Sequence, residues 1–222
     1  MKYLLPFILF SALSTLPLAA QNFEEKKPAQ LILKFAPLSF VDLVTPNYHL
    51  GLEYRPAESL GLEVNVGIKT PLANSVGNAS NVDLFKIREE IRYIFAPRSR
   101  IPFYLAFEGF GVWQSFNMVN GNFLDAEGQR IWYEEAEVDR KVAGYTLKYG
   151  LLLPSTKSRF GWEMYVGLGI RKVRTHYNII TPRPNTMVFW ENFQIFNVVD
   201  LNEGPTIKGH FALNIKLTYA LL

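Results

Sequence analysis

Residues 160–171 read Phe-Gly-Trp-Glu-Met-Tyr-Val-Gly-Leu-Gly-Ile-Arg, with an apolar side chain at every even position. The odd positions hold glycine, glutamate, tyrosine and arginine. Because successive side chains of a β-strand point to opposite faces, this pattern predicts a strand with one apolar face and one polar or small face. Residues 60–69 alternate in the same way, with Leu, Leu, Val, Val and Ile at the even positions. An amphipathic helix would repeat its apolar residues every three or four positions instead.

Six further stretches alternate more weakly, so the sequence predicts eight strands in total. They are residues 31–40, 48–55, 85–95, 102–116, 142–153 and 206–222. Short links rich in turn residues (56–59, 97–101 and 154–157) alternate with longer segments (41–47, 70–83, 117–141 and 175–205). Bacterial outer-membrane barrels have short turns on one rim, long external loops on the other and an even number of strands. The predicted fold class is therefore all-β, an eight-stranded antiparallel up-and-down transmembrane β-barrel.

Composition excludes several other classes of protein. The 222 residues are enough for one domain. The net charge of +3 is small and scattered, which does not favour nucleic acid as a partner. The absence of cysteine excludes disulfides, thiolate metal sites and a lipoprotein anchor. A mean hydropathy of +0.04 is far below that of a helical membrane protein.

The amino terminus has the features of a secretory signal peptide. Lys2 gives a positive start, residues 4–18 are mostly apolar, and small residues at 19 and 20 precede a predicted cleavage after Ala20. The alternative, an amino-terminal membrane helix, needs about 20 apolar residues, whereas this run is shorter and interrupted by proline and serine. We expect a signal peptide at 1–20, a short periplasmic segment at 21–30 and the barrel at 31–222.

Alternation alone does not decide which face points inward. A soluble lipocalin-like carrier encloses its apolar face around a ligand, whereas a membrane barrel turns that face to lipid. Here the polar faces combine glycines, which are unfavourable inside a solvated strand, with glutamates and arginines. An eight-stranded barrel is about wide enough inside for its own side chains, so we expect a lumen plugged by ion pairs. The candidates for these pairs are Glu53, Arg55, Glu63, Arg88, Glu90, Arg92, Glu108, Lys148, Glu163 and Arg171.

Three segments carry a resemblance to a known group. They are Leu-Lys-Phe-Ala-Pro-Leu at 33–38, Gly-Leu-Glu-Tyr-Arg at 51–55 and Arg-Glu-Glu-Ile-Arg-Tyr-Ile-Phe at 88–95. With the signal peptide and the alternating short and long connections, the chain resembles the small outer-membrane barrels related to OmpX and the OmpA membrane domain. It is also similar to uncharacterised small-barrel families of Bacteroidetes-type bacteria. The resemblance covers nearly the whole mature chain and implies a monomer in the outer membrane of a Gram-negative cell envelope, in contact with lipid.

Motifs for catalysis or metal binding are missing from the sequence. The three histidines, His49, His176 and His210, have no metal-ligand spacing, and there is no Gly-x-Ser-x-Gly nucleophile motif. We therefore expect no catalytic residues, no metal and no cofactor. A lipid-modifying enzyme built on a spatial His/Ser pair and a narrow, porin-like pore remain minor alternatives.

The two longest predicted loops differ in character. Residues 117–141 are acidic, whereas residues 175–205 are unusually apolar, as in a partner-binding surface or a hairpin packed on its own barrel. The candidate contact residues of the apolar loop are Phe189, Trp190, Phe193 and Phe196. We expect a non-enzymatic outer-membrane protein that acts structurally or through these loops on a surface protein or ligand. A soluble secreted carrier of an apolar ligand is the alternative.

Overall fold

A computed structural model describes residues 30–41, 46–71, 79–125, 127–155, 158–182 and 203–221. Within them, eight antiparallel strands form one up-and-down sheet that closes in a ring, which confirms the predicted eight-stranded barrel. The strands are β1 Gln30–Phe35, β2 Asn47–Ala57, β3 Leu60–Lys69, β4 Ala79–Phe95, β5 Phe103–Leu124, β6 Arg130–Pro154, β7 Phe160–Pro182 and β8 Gly204–Ala220. The predicted signal peptide lies outside the described residues. Among those described, no helix is long and apolar enough to span a membrane.

The wall of the barrel has its polar face inside and its apolar face outside. Along β7, Glu163 and Tyr165 are buried in the interior, whereas Leu168 is 70% exposed on the outer surface. Burial alternates in the same way along β2 and β6. The interior therefore holds the buried charged side chains, among them Glu53, Glu63 and Glu163.

The strand predicted at 31–40 is shorter in the structure, because β1 ends at Phe35. Pro37 cannot donate a backbone hydrogen bond to a neighbouring strand, and it begins a 3₁₀ turn over Pro37–Val41. Within this turn the Ser39 hydroxyl is buried and lies 3.4 Å from Nδ1 of His49. It also accepts a hydrogen bond from Nδ2 of Asn214 at 3.2 Å. The turn thus lines the inner side of β2 and β8, and β1 pairs with β8 only over Ile32–Phe35.

The predicted loop at 117–141 is wrong, since β5 and β6 continue through it as a long hairpin. The strands pair in register as far as Leu124 and Arg130. The intervening turn is stabilised by the Asp125 carboxylate, which accepts hydrogen bonds from the backbone N–H groups of Glu127 and Gln129. The predicted loops at 70–83 and 175–205 are also shorter, because β4 begins at Ala79 and β7 runs to Pro182.

This hairpin has a small apolar core of its own on the inner side of the sheet. Phe123 stacks on Tyr177 with their ring centroids 4.1 Å apart, and both pack with Phe116, Tyr133 and Val138. Burial raises the pKa of the Tyr133 phenol to about 12, and it also raises the pKa of Tyr177. These contacts make the hairpin an ordered extension of the barrel wall.

Candidate functional site: the charged interior of the barrel

Four buried glutamates occupy directly opposite positions on four consecutive strands. Glu53 of β2 pairs in register with Glu63 of β3, Glu63 with Glu90 of β4, and Glu90 with Glu108 of β5. Each is at most 4% exposed. Because like charges directly opposite each other destabilise a sheet, this row needs cations close to it.

Arg92 is the most connected of these cations. Its side chain is fully buried and contacts Glu63 and Glu90 directly. Its Nη1 lies 3.4 Å from Oε2 of Glu53 and 3.0 Å from Oε2 of Glu163, a fifth buried glutamate, which projects from β7. One guanidinium thus joins residues of four strands across the bore.

Three lysines supply further positive charge from the other side of the barrel. Lys34 of β1 places its Nζ 2.5 Å from Glu53 and 2.6 Å from Glu63, and it also contacts Glu163. Lys216 of β8 lies 2.5 Å from Oε1 of Glu63 and 3.7 Å from Oε1 of Glu163.

Lys148 of β6 completes this set. Its Nζ is 2.7 Å from Oε2 of Glu90, and it also contacts Glu108. All three lysines are 1% exposed. Their charges are therefore matched by carboxylates and shielded from water.

Two tyrosine rings, those of Tyr104 and Tyr165, make cation–π contacts with these cations. The Tyr104 hydroxyl donates to Oε1 of Glu163 at 2.6 Å, and the guanidinium of Arg92 lies 4.3 Å from the centroid of the same ring. Nζ of Lys148 lies 4.2 Å from the Tyr165 centroid, and Nζ of Lys216 lies 5.1 Å from it. Cations over aromatic faces are attracted most strongly when water is excluded, so the rings reinforce the network.

The structure brings most of the predicted lumen residues together. All ten candidates except Arg171 have an opposite charge within 4 Å, the most distant pair being Arg88 with Glu108 at 3.8 Å. Arg55 approaches Glu53 at 2.6 Å but is partly exposed. Arg171 has no carboxylate within that distance among the described residues.

Sequence reasoning missed two members of the network, Lys34 and Lys216. Lys34 lies in the apolar run Leu-Ile-Leu-Lys-Phe, where the strand pattern is dominated by leucines. Both lysines nevertheless sit at alternate positions shared with other inward residues, Lys34 with Ile32 and Lys216 with Asn214. These alternate positions in the sequence could have identified both lysines as inward-facing residues.

Three of the carboxylates are close enough together to resemble a cation site. Glu53, Glu63 and Glu163 each offer an oxygen within 4.8 Å of the others. The ammonium group of Lys34 contacts all three, so a protein cation already neutralises them. The cluster therefore joins β1, β2, β3 and β7 by ion pairs.

The candidate contact residues of the predicted apolar loop at 175–205, Phe189, Trp190, Phe193 and Phe196, lie outside the described residues. Their arrangement stays a prediction. The acidic residues of the predicted loop at 117–141 are on the β5–β6 hairpin, where Glu134, Glu137 and Asp139 are exposed.

No protein-family model, no curated protein and no solved structure matches this chain.

Proposed function

We propose that this protein is an exported outer-membrane β-barrel with a non-enzymatic role, either structural or in surface contacts made by its external hairpin and loops. The observation that carries the proposal is the continuous apolar belt on the outer face of the barrel. Large exposed side chains on β7 and β8 include Leu168, Ile170, Phe211 and Leu213, at 61–70% exposure. Apolar patches of more than a few hundred Å² are rare on water-soluble monomers and mark contact with protein or membrane.

The height of the belt fits a bilayer. On β7 the outward side chains are apolar from Phe160 to Ile170 and become the cations Lys172 and Arg174 above. From Trp162 to Lys172 the strand advances by ten residues. At about 3.3 Å per residue and a tilt of about 40°, this is a rise of about 25 Å, the height of the apolar band of outer-membrane barrels.

Aromatic side chains border the belt, as expected where a barrel meets the two membrane interfaces. On the side of the short turns, Phe95 stacks on Phe103 with ring centroids 5.0 Å apart, and Phe160 lies 4.9 Å from Tyr219. At the opposite border the Phe85 and Trp113 rings are 5.8 Å apart. Lys141, paired in register with Trp113, begins the charged surface beyond it.

One outward residue departs from the belt. Glu89 lies between Ile87 and Ile91 on β4 and is half-buried on the outer face. A carboxylate facing lipid is unfavourable, so this position weakens rather than stabilises an inserted barrel. Its effect on stability is therefore a test of insertion.

The interior favours a closed barrel over a conducting pore or a carrier of apolar ligands. Fully buried Arg92, Tyr104 and Lys148 fill the bore at the level of the belt. An eight-stranded barrel leaves little room beyond its own side chains. A lipocalin-like carrier needs an apolar lining, whereas this level is lined by ion pairs.

Export by the predicted signal peptide at 1–20 and kinship with OmpX-type and OmpA-type barrels are parts of the same proposal. They agree with the orientation that the connections imply, with short turns on the periplasmic rim and the β5–β6 hairpin outside. This orientation places the acidic β5–β6 hairpin where it can meet surface partners.

Cysteine labelling tests both insertion and orientation, because the parent chain has no cysteine. Glu127→Cys places a thiol at the exposed tip of the hairpin, and Ser99→Cys places one in the exposed turn between β4 and β5. A membrane-impermeant maleimide applied to intact cells should label the first variant and should reach the second only after the outer membrane is opened.

Fractionation is the companion measurement. The protein should stay with outer membranes after alkaline extraction and migrate faster on gels before boiling than after it. A freely soluble protein, or equal labelling of both thiols in intact cells, would reject the proposal.

A further inference from the structure

The interior changes character above the glutamate row, toward the external hairpin. The next inward row runs from Arg88 through Phe110 and Gly144 to Arg171, each residue paired in register with the one before. Above Arg171, the inward residue Arg140 of β6 pairs with Thr175 of β7. The described inward residues of these rows include three arginines and no carboxylate.

Arg140 and Arg171 repel each other electrostatically, and no described carboxylate forms an ion pair with either of them. Arg140 is 4% exposed, and its Nη1 donates a long hydrogen bond to Oε1 of Gln114 at 3.4 Å. Burial and the charge of Arg171 lower the pKa of Arg140 to about 10, so the Arg140 guanidinium still carries its charge at neutral pH. Neither has a carboxylate within 4 Å among the described residues.

Several donors in this group are buried without a partner among the residues that the structure describes. The Nε atoms of Arg140 and Arg171 have none, and neither has the Thr175 hydroxyl, although Thr175 is only 1% exposed. An uncompensated buried charge is strongly unfavourable, and buried donors normally find an acceptor. A counter-anion between these side chains would satisfy both requirements.

We propose that Arg140, Arg171 and Thr175 form a binding site for a phosphate group just inside the external mouth of the barrel. A phosphate carries a charge of about −1.5 to −2 at pH 7, which matches two guanidinium groups. The planar fork of arginine binds phosphate oxygens bidentately, and a threonine hydroxyl adds a neutral hydrogen bond. The same chemistry serves inorganic phosphate and the phosphate group of a larger molecule.

The geometry leaves a route from the external side. Arg171 is only half-buried and pairs in register with the exposed Lys208 of β8. The charges of the half-buried Arg171 and the buried Arg140 attract anions and raise their local concentration. The site thus belongs to the upper interior, separate from the neutralised network below it.

The site can be tested by isothermal titration of the refolded barrel in detergent micelles at low salt, with inorganic phosphate and glycerol 3-phosphate as probes. Binding of both assigns the site to phosphate groups of larger molecules, and binding of inorganic phosphate alone restricts it to the free ion. Either result supports the proposal, and no saturable binding of either probe in the millimolar range would overturn it.

Variants locate the site within the barrel. Arg140→Gln and Arg171→Gln should each weaken phosphate binding by about tenfold to a hundredfold, because hydrogen bonds to charged groups contribute on that scale. Thr175→Val should weaken it by about twofold to tenfold. Without phosphate, each arginine variant should be at least as stable as the parent, since one of two neighbouring like charges is gone.

The matched controls are Lys141→Gln and Lys172→Gln. Each is adjacent in the chain to one of the arginines, removes the same charge and lies on the outer face of the same strand. Both should bind phosphate within about twofold of the parent, and an equal loss in these controls would show a general charge effect and overturn the site. If Arg140→Gln does not fold, Arg171→Gln and Thr175→Val carry the test. Because the assay needs only a folded barrel, its result is independent of the membrane proposal.

Discussion

Replacing Arg92 by methionine removes the central cation of the interior while keeping an unbranched side chain of similar length. Arg92 makes ion pairs with Glu53, Glu63, Glu90 and Glu163, and all of these groups are shielded from water. Removing one partner of a buried ion pair typically costs about 3–5 kcal/mol. Methionine can fill the volume but provides no charge for the carboxylates.

The expected loss of unfolding free energy depends on the ion pairs that the carboxylates keep after Arg92 is replaced. Glu53, Glu63 and Glu163 each retain Lys34, and Glu90 retains Lys148. No carboxylate is left alone, so we expect the lower end of the range, about 3 kcal/mol. Arg55 is the comparison: it is partly exposed and contacts Glu53 alone, so Arg55→Met should cost about 1 kcal/mol or less.

The assay is reversible urea unfolding of the refolded barrel, followed by the fluorescence of its four tryptophans. A second substitution, Glu163→Gln, should be less destabilising in the Arg92→Met background than in the parent, with a coupling of about 0.5–3 kcal/mol. The network does not stabilise the interior if the unfolding free energy of Arg92→Met is within about 1 kcal/mol of that of the parent. The same conclusion follows if Arg92→Met is no more destabilising than Arg55→Met.

Further predictions concern the outer face, the packing of the wall and the external hairpin. In lipid vesicles Leu168→Arg should destabilise the barrel by about 2–4 kcal/mol and Glu89→Leu should stabilise it, whereas in a soluble protein the exposed Leu168 would tolerate arginine within about 0.5 kcal/mol. Gly169→Ala should cost about 1–3 kcal/mol in urea unfolding, because a Cβ there would lie 2.0 Å from the backbone oxygen of Tyr145. The control Gly209→Ala has open space and should be neutral or stabilising; equal costs for the two glycines would contradict the packing. Stability should fall as pH rises from about 10 to about 12, because the Tyr133 phenol ionises near its ordinary pKa of about 10 in the unfolded chain and at about 12 in the folded one. Cζ-labelled tyrosine NMR of the parent and Tyr133→Phe would show whether the missing resonance titrates near 12.

Alternation predicts the strands well where the two faces differ strongly. Residues 60–69 coincide with β3, because leucine, valine and isoleucine face outward while glycine, glutamate and asparagine face inward. The predicted start at residue 160 also coincides with the first residue of β7. In these strands side-chain direction and chemistry change together at every residue.

The same signal fails where both faces of a strand carry polar residues. On the β6 strand of the hairpin the outward positions Glu137 and Asp139 are acidic, and inward positions of the hairpin mix Gln114 and Arg140 with aromatic side chains. The contrast between the faces disappears, so the segment resembles a loop although its backbone pairs as a sheet. The apolar core around Phe123 and Tyr177 forms only when β5, β6 and β7 come together, and a local pattern cannot reveal that contact.

The sequence predicts which residues face the lumen more readily than it predicts which of them form ion pairs. Alternation assigns Glu53, Glu63, Glu90 and Glu108 to one face, but their alignment in a single row depends on the register of three strand pairs. A shift of two residues in any one pair keeps every side chain on its face and breaks the row. Register depends on turn geometry and on packing across the bore, neither of which a single strand contains.

The vertical division of the interior indicates where specific binding belongs. The balanced network around Arg92 lies behind the apolar belt, where surrounding material of low dielectric strengthens each ion pair and makes any unpaired charge costly. The stability of the barrel therefore favours paired charges at this level. If the barrel is inserted as proposed, the wall above the belt stands in water on its outer side, and an excess of positive charge such as Arg140 with Arg171 can persist there when an anion reaches it. Variation that adds a ligand is thus compatible with a stable barrel only in the upper interior and the external hairpin.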